Sequence, residues 1–132
     1  MCIFCKIIAG EIPVRKIYED QYTLAFLDAA NDCYGHTLVV PKKHCVNLFD
    51  AEVESLAHCM ETVQKILKHY RKLGFEGANL VNNNGVVANQ TVMHLHFHIV
   101  PRDGEKEGPF EKYYPQNIVR DFDSECERLR IR

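Results

Sequence analysis

Three histidines alternate with large apolar residues in the stretch MHLHFHIVPR, residues 93–102, at positions His94, His96 and His98. Imidazole serves proteins as a base, a nucleophile or a metal ligand near neutral pH. Successive side chains of a β-strand point to opposite faces, so a strand here would place the histidines on one face and the apolar residues on the other. A solvated face on which histidine merely recurs is the plain alternative, and the complete apolar face argues against it.

A single zinc ion bound by all three histidines does not fit this spacing. The outer pair, His94 and His98, would lie about 13 Å apart along a strand, whereas a Zn–N bond is only about 2 Å long. One ion could take two neighbouring histidines, and a metallohydrolase would need a further carboxylate or histidine from elsewhere. The nearby sequence offers amides instead.

Phosphoryl chemistry by an imidazole nucleophile fits the neighbouring residues better. A neutral imidazole nitrogen can attack phosphorus when a hydrogen bond holds its other nitrogen and when donors meet the developing charge. Asn83, Gln90 and Thr91 are uncharged polar residues that flank the same predicted strand. Crowded imidazoles also oppose one another's protonation, which helps to keep one of them neutral near pH 7.

Composition places these residues in one ordinary globular domain, residues 1–132. Apolar residues make up 46% and charged residues 26%, and no apolar run approaches a membrane span of roughly 20 residues. The formal charge of −2 gives no broad attraction for polyphosphate, so we expect a local anion site, no nucleic acid polymer and no membrane partner. The N-terminus lacks a signal-peptide pattern, so we expect a cytoplasmic protein with six reduced cysteines.

Apolar periodicity predicts an antiparallel sheet that positions the histidines. CIFCKIIAG predicts a short N-terminal helix that stops at Gly10. RKIYED, TLAFLD and GHTLVVPKKH predict three strands of a meander, the third ended by Pro41. GANLVNNNG and TVMHLHFHIVP predict two further strands, joined by the polar loop of residues 82–90.

One long helix is predicted between these groups of strands, over DAEVESLAHCMETVQKILKHYRKLG. Asp50 is its predicted N-cap and Gly74 its predicted C-cap. We expect the apolar face of the histidine strand to pack against it. With Ile66 beside them, the residues of its predicted buried face are Val53, Leu56, Met60, Val63, Leu67 and Tyr70. Residues beyond Arg102 read as a loop, and a helical signal returns near residues 121–129.

The alternating histidines stand within a longer series of motifs. HLHFHIV resembles the His-φ-His-φ-His-φ-φ signature (φ apolar) of the histidine triad superfamily, in its branch of small nucleotide-binding proteins and hydrolases. IFCKIIAGEIP, YED, LAFLD, GHTLVVPKKH, NNNG and NQTVMHLHFHIVPR match that branch in order, which is more specific than a lone motif. The match covers residues 2–102 and leaves residues 103–132 as a C-terminal extension.

The resemblance implies a nucleotidyl hydrolase or transferase acting at the α-phosphate of a nucleoside 5′-phosphate derivative. It assigns the nucleophile to His96, a choice that spacing alone does not make. His98 would orient the phosphate and His36 would complete the cluster. Thr91 joins this catalytic set, because its hydroxyl stands where serine is commoner in the family. Catalysis of this kind requires no cofactor.

A nucleotide pocket is implied in the same way. Asn83, Gln90 and Thr91 would bind phosphate oxygens, and Asp28 would accept hydrogen bonds from the ribose hydroxyls. The nucleoside would contact five apolar residues, Ile3, Phe4, Ile7, Phe26 and Leu38. Without the ordered match, these five would be read as core, Asp28 as a turn residue and His36 as a buried structural histidine.

Cys2 and Cys5 form a C-x-x-C pair, a chelate spacing that is not specific when it occurs once. Zinc would need two more ligands, for which His44 and His94 are the candidates. Some bacterial family members carry a structural zinc with such ligands, so the resemblance implies a structural zinc here. Two semi-buried thiols on a short helix are the alternative. The other cysteines are read as unpaired structural residues, namely Cys33, Cys45, Cys59 and Cys126.

We therefore expect an α+β fold with a five-stranded antiparallel sheet, one long helix and one short N-terminal helix. The resemblance implies a homodimer that joins two sheets. The expected substrate is a purine nucleoside phosphoramidate, an adenylate or a dinucleoside polyphosphate, cleaved through a covalent nucleotidyl-histidine intermediate. A zinc-dependent hydrolase, a nucleotidyltransferase of the same superfamily and a non-catalytic nucleotide-binding regulator stay open as alternatives.

Overall fold

A computed structural model describes residues 2–103 and 118–132, and within them the predicted α+β fold is confirmed. The strands are β1 (Lys16–Glu19), β2 (Thr23–Leu27), β3 (Thr37–Pro41), β4 (Gly77–Val81) and β5 (Phe97–Arg102). They form an antiparallel sheet in the order β1-β2-β3-β5-β4. The helices are α1 (Ile3–Ile8), α2 (Val53–Lys72) and α3 (Phe122–Leu129), and a 3-10 turn covers Val86–Ala88.

The sheet separates two apolar clusters, each covered by a different helix. Alternate residues of each strand face opposite sides, so β2 sends Ala25 and Leu27 to one cluster and Leu24 and Phe26 to the other. Helix α2 covers the first cluster and α1 covers the second. Since His98 pairs across the sheet with Leu38, which lies in the second cluster, His98 faces away from α2 as predicted.

Helix α2 begins later than predicted, and Asp50 is not its N-cap. Glu52 occupies the N-cap position and makes no capping bond through its side chain. The Asp50 carboxylate instead accepts from the backbone N–H groups of Val46 and Asn47, so it stabilises the turn before the helix. Gly74 lies one residue beyond the C-cap, at a φ of 111° that glycine adopts without strain.

The buried face of α2 is also rotated from the predicted one. Val53 is 80% exposed and Met60 is 39% exposed. Thr62 is buried instead, because its hydroxyl lies 2.6 Å from that of Thr23 on β2, and a satisfied hydroxyl can enter a core. The buried residues of this helix are Cys59, Thr62, Val63, Ile66 and Tyr70.

The histidine strand is shorter than predicted. Strand β5 begins at Phe97, so His98 lies in the strand and the other two alternating histidines precede it. Leu95 donates its backbone N–H to the carbonyl of Cys45 at 2.8 Å, which ties this part of the chain to the segment before α2. Met93 is 39% exposed and does not share the buried face of its apolar neighbours.

Helix α3 confirms the helical signal near the C-terminus. Asp121 caps it by accepting from the backbone N–H of Ser124. Leu129 is completely buried in the first apolar cluster, which α2 covers. The backbone N–H of Ile131 donates to the carbonyl of Ile17 on β1. The part of the predicted C-terminal loop that holds Gly104, Gly108, Pro109 and Pro115 lies outside the described residues. No helix in the described stretches is both long enough and apolar enough to cross a membrane.

Candidate active site

His96 is held in a defined orientation by the backbone just before β5. Its side chain is buried, and Nδ1 lies 2.7 Å from the carbonyl oxygen of His94. A carbonyl only accepts, so Nδ1 carries the proton, and the neutral ring then has its lone pair on Nε2. Burial lowers the pKa of His96, which favours the neutral ring near pH 7. The local structure thus prepares Nε2 as a nucleophile.

Four of the five apolar residues predicted to hold a nucleoside belong to one buried cluster, and Phe4 of that cluster contacts this imidazole. Phe4 meets the rings of Phe26 and His96 edge to face, with centroid distances of 5.6 and 5.1 Å. Ile3 is 48% exposed at the surface. The buried members of the α1-side cluster are Phe4, Ile7, Leu24, Phe26, Leu38 and Val40. The structure therefore brings four of the five predicted residues together, as a small core that borders His96.

His36 and His98 form a hydrogen-bonded pair on the same face of the sheet. Nε2 of His36 lies 2.9 Å from Nδ1 of His98. Nδ1 of His36 lies 3.0 and 3.1 Å from the two carboxylate oxygens of Asp32. Burial and the neighbouring His36 and His96 lower the pKa of His98 to about 4. The pair therefore does not hold two positive charges at neutral pH.

Asp28 closes the other side of this cluster. One carboxylate oxygen accepts from the backbone N–H of Ala30 at 2.8 Å, which is the turn role expected for such a residue. The second oxygen lies 3.7 Å from Nε2 of His36. Asp28 is thus both a turn residue and a neighbour of the predicted catalytic histidines.

A buried ion pair from the C-terminal extension holds the loop that carries these residues. The Arg120 guanidinium lies 2.8 Å from a carboxylate oxygen of Glu125, and both side chains are 0% exposed. Arg120 also donates to the carbonyls of Asp28 and Ala30, and Glu125 accepts from the N–H of Gly35. The sequence interpretation missed this pair and Asp32, and only the i,i+4 spacing of Asp32 and His36 offered a signal.

The side chain of Gln90, predicted to bind phosphate, is occupied within the protein. It is 3% exposed, and its carbonyl oxygen accepts from Asn47 and from the N–H of Gly85. Its amide nitrogen donates to the carbonyls of Val46 and Val92 at 2.6 and 3.0 Å. Both amide protons are thereby used, so the side chain ties two loops together in this structure.

The other two predicted phosphate ligands lie on either side of this loop. Asn83 is half-buried just after β4, and Thr91 is exposed just before the histidines. The intervening segment turns through Gly85, at φ 95°, and Asn89, at φ 69°. Its shape is therefore set by these two positive-φ residues and by the Gln90 bonds described above.

Cys2, Cys5, His44 and His94 form the other cluster, with one ligand atom of each lying within 4.8 Å of the others. The S–N distances are 3.3 to 3.6 Å, and the two Nδ1 atoms are 3.1 Å apart. A tetrahedral zinc site with ordinary Zn–N and Zn–S bonds has edges of about 3.3 to 3.8 Å. Three S–N distances thus match the edges of a closed zinc site, and the N–N distance is slightly shorter than such an edge.

The protonation state of His94 also fits a metal ligand. Its Nε2 lies 2.8 Å from the carbonyl oxygen of Pro41 and therefore donates to it. Nδ1, which faces the two sulfurs and His44, then carries the lone pair. Metal-bound histidines commonly donate their second N–H to a carbonyl in this way. The donor set fits zinc in both spacing and proton placement.

Comparisons with known proteins place the chain among histidine triad proteins. Residues 9–105 match the family model described as HIT domain. An uncharacterised HIT-like protein of Methanocaldococcus jannaschii is 54% identical over 108 residues, covering 80% of this chain and 84% of that protein. An adenosine 5′-monophosphoramidase of Schizosaccharomyces pombe is 44% identical over 107 residues, covering 81% and 78%. A Zn-bound histidine triad family protein of Mycobacterium smegmatis superposes with a TM-score of 0.86 at 37% identity, covering 98% and 90%.

Proposed function

The chain belongs to the HIT domain family, and on that premise we propose that it hydrolyses purine nucleoside 5′-phosphoramidates at the α-phosphate. The observation that carries the proposal is the bond from Nδ1 of His96 to the His94 carbonyl, which leaves the lone pair on Nε2. The monophosphoramidase of S. pombe supports this substrate class at the level of the family. Adenylates and dinucleoside polyphosphates have the same α-phosphate and are further substrates of the proposed site.

The proposed reaction has two steps. Nε2 of His96 attacks the α-phosphorus, the P–N bond of the phosphoramidate breaks, and the amine leaves with a proton taken from the site. Water then attacks the nucleotidyl-imidazole, the bond between phosphorus and His96 breaks, and nucleoside monophosphate is released. Covalent catalysis of this kind replaces one difficult displacement by two easier ones. The His94 carbonyl serves throughout by holding the ring of His96.

The remaining residues act on the substrate around His96. His98 orients the phosphate with His36 behind it in the cluster, and the Thr91 hydroxyl and Asn83 amide hydrogen-bond to its oxygens. The backbone N–H groups beside Gln90 complete this set, since the Gln90 side chain is engaged elsewhere. Asp28 accepts from the ribose hydroxyls. The base lies against the α1-side cluster, led by Phe4 and Phe26.

We also propose a structural zinc at Cys2, Cys5, His44 and His94, supported by their spacing and by the Zn-bound relative of M. smegmatis. With four protein ligands the site is closed, so the ion would supply a cross-link and no chemistry. The cross-link joins α1 to the segment before β5, whose His94 carbonyl orients His96. Zinc would thereby stabilise the backbone segment whose His94 carbonyl orients the His96 ring.

We further propose a two-fold homodimer that joins two sheets through β4. Among the strands that the structure describes, β4 is one edge of the sheet and pairs with β5 alone. An unpaired edge offers backbone N–H and C=O groups to a second strand. Leu80 on this strand is 45% exposed, which provides apolar surface for such a contact.

The test of the proposed activity is hydrolysis of adenosine 5′-phosphoramidate by chelator-treated protein, with acid-quenched samples analysed by mass spectrometry for nucleotidylated chain. His96→Ala should lower kcat/KM by at least about a thousandfold and abolish the adduct. His58→Ala is the matched control, because the His58 ring lies on α2 and stacks on Tyr22, far in sequence from the alternating histidines. It should retain wild-type turnover.

Four results would overturn the proposal. Equal turnover by His96→Ala would exclude this nucleophile, and turnover that appears only after zinc is restored would move the chemistry to the metal. Binding of adenosine monophosphate without any turnover would leave a nucleotide-binding regulator. Transfer of the adduct to added inorganic phosphate, in preference to water, would make the protein a nucleotidyltransferase.

A further inference from the structure

We propose that Asp32 is a positioning residue for this reaction, because through His36 it decides which nitrogen of His98 carries the proton that meets the phosphate. The inference deepens the proposed function and rests on it. It starts from three side chains joined in a row on the α1 side of the sheet. Asp32 lies 3.0 Å from Nδ1 of His36, and Nε2 of His36 lies 2.9 Å from Nδ1 of His98.

The first proton arrangement follows from the acceptor at the end of the row. An ionised carboxylate only accepts, so Nδ1 of His36 donates to Asp32 and a neutral His36 carries its lone pair on Nε2. Nδ1 of His98 must then donate to that lone pair. In this arrangement the lone pair of His98 is on Nε2, and this nitrogen can accept but cannot donate.

One added proton reverses the direction of the second bond. If His36 is protonated on both nitrogens, its Nε2 donates to Nδ1 of His98, and the proton of neutral His98 moves to Nε2. Phosphate oxygens accept hydrogen bonds, so His98 can orient a phosphate in this second arrangement and not in the first. The proton enters from solvent as the anionic substrate binds and returns as the product leaves. Each arrangement uses the same 2.9 and 3.0 Å contacts, so the change needs no movement of the rings.

Two carboxylates of the described residues lie close to His36. Asp32 contacts Nδ1, and Asp28 lies 3.7 Å from Nε2. Arg120 lies 3.9 Å from Asp32, but Glu125 at 2.8 Å neutralises it. Within residues 2–103 and 118–132, two carboxylates thus face the ring, and the nearby guanidinium of Arg120 is paired with Glu125.

Three further neighbours in the described part of the chain are neutral at neutral pH. Burial raises the pKa of the Cys33 thiol to about 12, so it is neutral. From the β5 side, burial lowers the pKa values of His96 and His98, so both rings are neutral as well. Asp32 is the carboxylate that contacts His36 directly, so its charge is the one whose removal should change proton uptake most.

Asp32→Asn is the variant that tests this role, since the amide keeps the size and the acceptor oxygen and removes the charge. The backbone bond from Cys33 N–H to Asp32, 2.7 Å long, can be kept by the amide oxygen. Asp123→Asn is the matched control, because the Asp123 side chain is 86% exposed on α3. Asp32→Glu restores the charge and is the rescue variant.

The first readout is the ¹⁵N NMR spectrum of histidine-labelled protein without ligand, followed across pH. In wild type and Asp123→Asn, the His36–His98 pair should take up one shared proton at the same pH. In Asp32→Asn that pH should fall by about one unit, and Asp32→Glu should recover most of the shift. A change of less than about 0.3 unit in Asp32→Asn would overturn the proposal. With adenosine monophosphate bound at pH 7, Nε2 of His98 should be protonated in wild type.

The second readout is the pH profile of kcat/KM for adenosine 5′-phosphoramidate. Asp32→Asn should lose about tenfold at pH 8 and less than about threefold at pH 6, because acid restores the proton that the lost charge no longer favours. An equal loss at every pH would indicate a merely structural role and overturn the proposal. If wild type hydrolyses nothing, the proposed function fails, and the ligand-free NMR titration still decides whether Asp32 controls the shared proton.

Discussion

Two clusters of histidine flank His96, the proposed nucleophile, and use the same side chain in opposite ways. In the cysteine cluster, formed by Cys2, Cys5, His44 and His94, two Nδ1 atoms lie 3.1 Å apart and face two sulfurs. In the carboxylate cluster, formed by Asp28, Asp32, His36 and His98, a proton can lie on each short contact. The first arrangement suits a cation, and the second suits a mobile proton.

The difference follows from the partner of each ring's second nitrogen. His94 donates from Nε2 to the Pro41 carbonyl, which leaves Nδ1 as a ligand. His96 donates from Nδ1 to the His94 carbonyl, which leaves Nε2 as a nucleophile. His98 contacts another imidazole, His36, which can accept or donate, so the proton of His98 can lie on either of its ring nitrogens. The three alternating histidines therefore differ in which ring nitrogen carries the proton, because each ring has a different hydrogen-bond partner.

The largest loss of stability is expected when both thiols of the cysteine cluster are removed. Cys2→Ser combined with Cys5→Ser should abolish zinc binding and lower the free energy of unfolding by about 5 kcal/mol, since closed zinc sites contribute folding energy. The midpoint of thermal unfolding should fall by about 15 °C, measured by calorimetry together with metal analysis. Cys45→Ser, next to His44, is the control and should keep its zinc. Wild-type protein that contains no zinc would contradict the assignment.

Removal of the Arg120–Glu125 ion pair, which holds the loop of the carboxylate cluster, should give the next largest effect on stability. Arg120→Met leaves the buried Glu125 carboxylate without its cation, which should lower the free energy of unfolding by about 3 to 5 kcal/mol. Arg132→Met removes an ion pair to Glu127 whose side chains are 58% and 67% exposed, and should change it by less than about 1 kcal/mol. Urea unfolding of the two variants checks the contrast, which equal effects would contradict.

The pH dependence of stability should report the buried His98. Its folded pKa of about 4 lies below the unfolded value of about 6.5, so the unfolded chain binds the extra proton between these values. Stability from this group is therefore complete above about pH 6.5 and is lost as pH falls toward 4, by at most about 3 kcal/mol. His98→Gln should flatten this part of the urea-unfolding profile relative to wild type. His58→Gln should not, and a similar flattening there would contradict the attribution.

The smallest predicted difference in the free energy of unfolding is between alanine substitutions at two glycines. Gly35 and Gly10 have nearly equal φ angles of 80° and 81°, so alanine at either site should cost about 1 kcal/mol from backbone strain. At Gly35 an added Cβ would lie 2.9 Å from Pro101 Cγ on β5, whereas Gly10 has open space. Gly35→Ala should therefore lose about 1 kcal/mol more in urea unfolding. Equal losses of unfolding free energy would contradict this prediction, because they would show that the loop before His36 accommodates the added Cβ without strain.

Much of the fold could be predicted, because its signals are local. The β1 to β4 segments and all three helices lie where apolar periodicity placed them. The errors arose where side chains contact distant residues. Thr62 is buried because Thr23 meets its hydroxyl, and Asp50 serves the turn before α2 because Val46 and Asn47 present their N–H groups to it. Neither partner is visible in a local pattern.

The candidate site divides in the same way. Motif order named the alternating histidines, the four cysteine-cluster residues and the apolar pocket, and the structure places most of them together. Their assigned roles remain predictions. Gln90 was assigned to phosphate from its position, and its amide is engaged within the protein instead. Asp32, Arg120 and Glu125 were missed, because no local sequence pattern links a single acid or base to a partner elsewhere in the fold.

The sequence by itself determined which residues can do chemistry and which face of the sheet His98 shares, because residue type and strand alternation are properties of the local chain. The acceptor for His96 is the His94 carbonyl only two residues away, whereas only the tertiary structure decided which nitrogen of His94 and of His98 keeps its lone pair. That choice depends on hydrogen-bond acceptors far away along the chain, such as Pro41 for His94, 53 positions apart, and His36 for His98, 62 positions apart. Protons follow these acceptors, and only folding brings the acceptors to the rings.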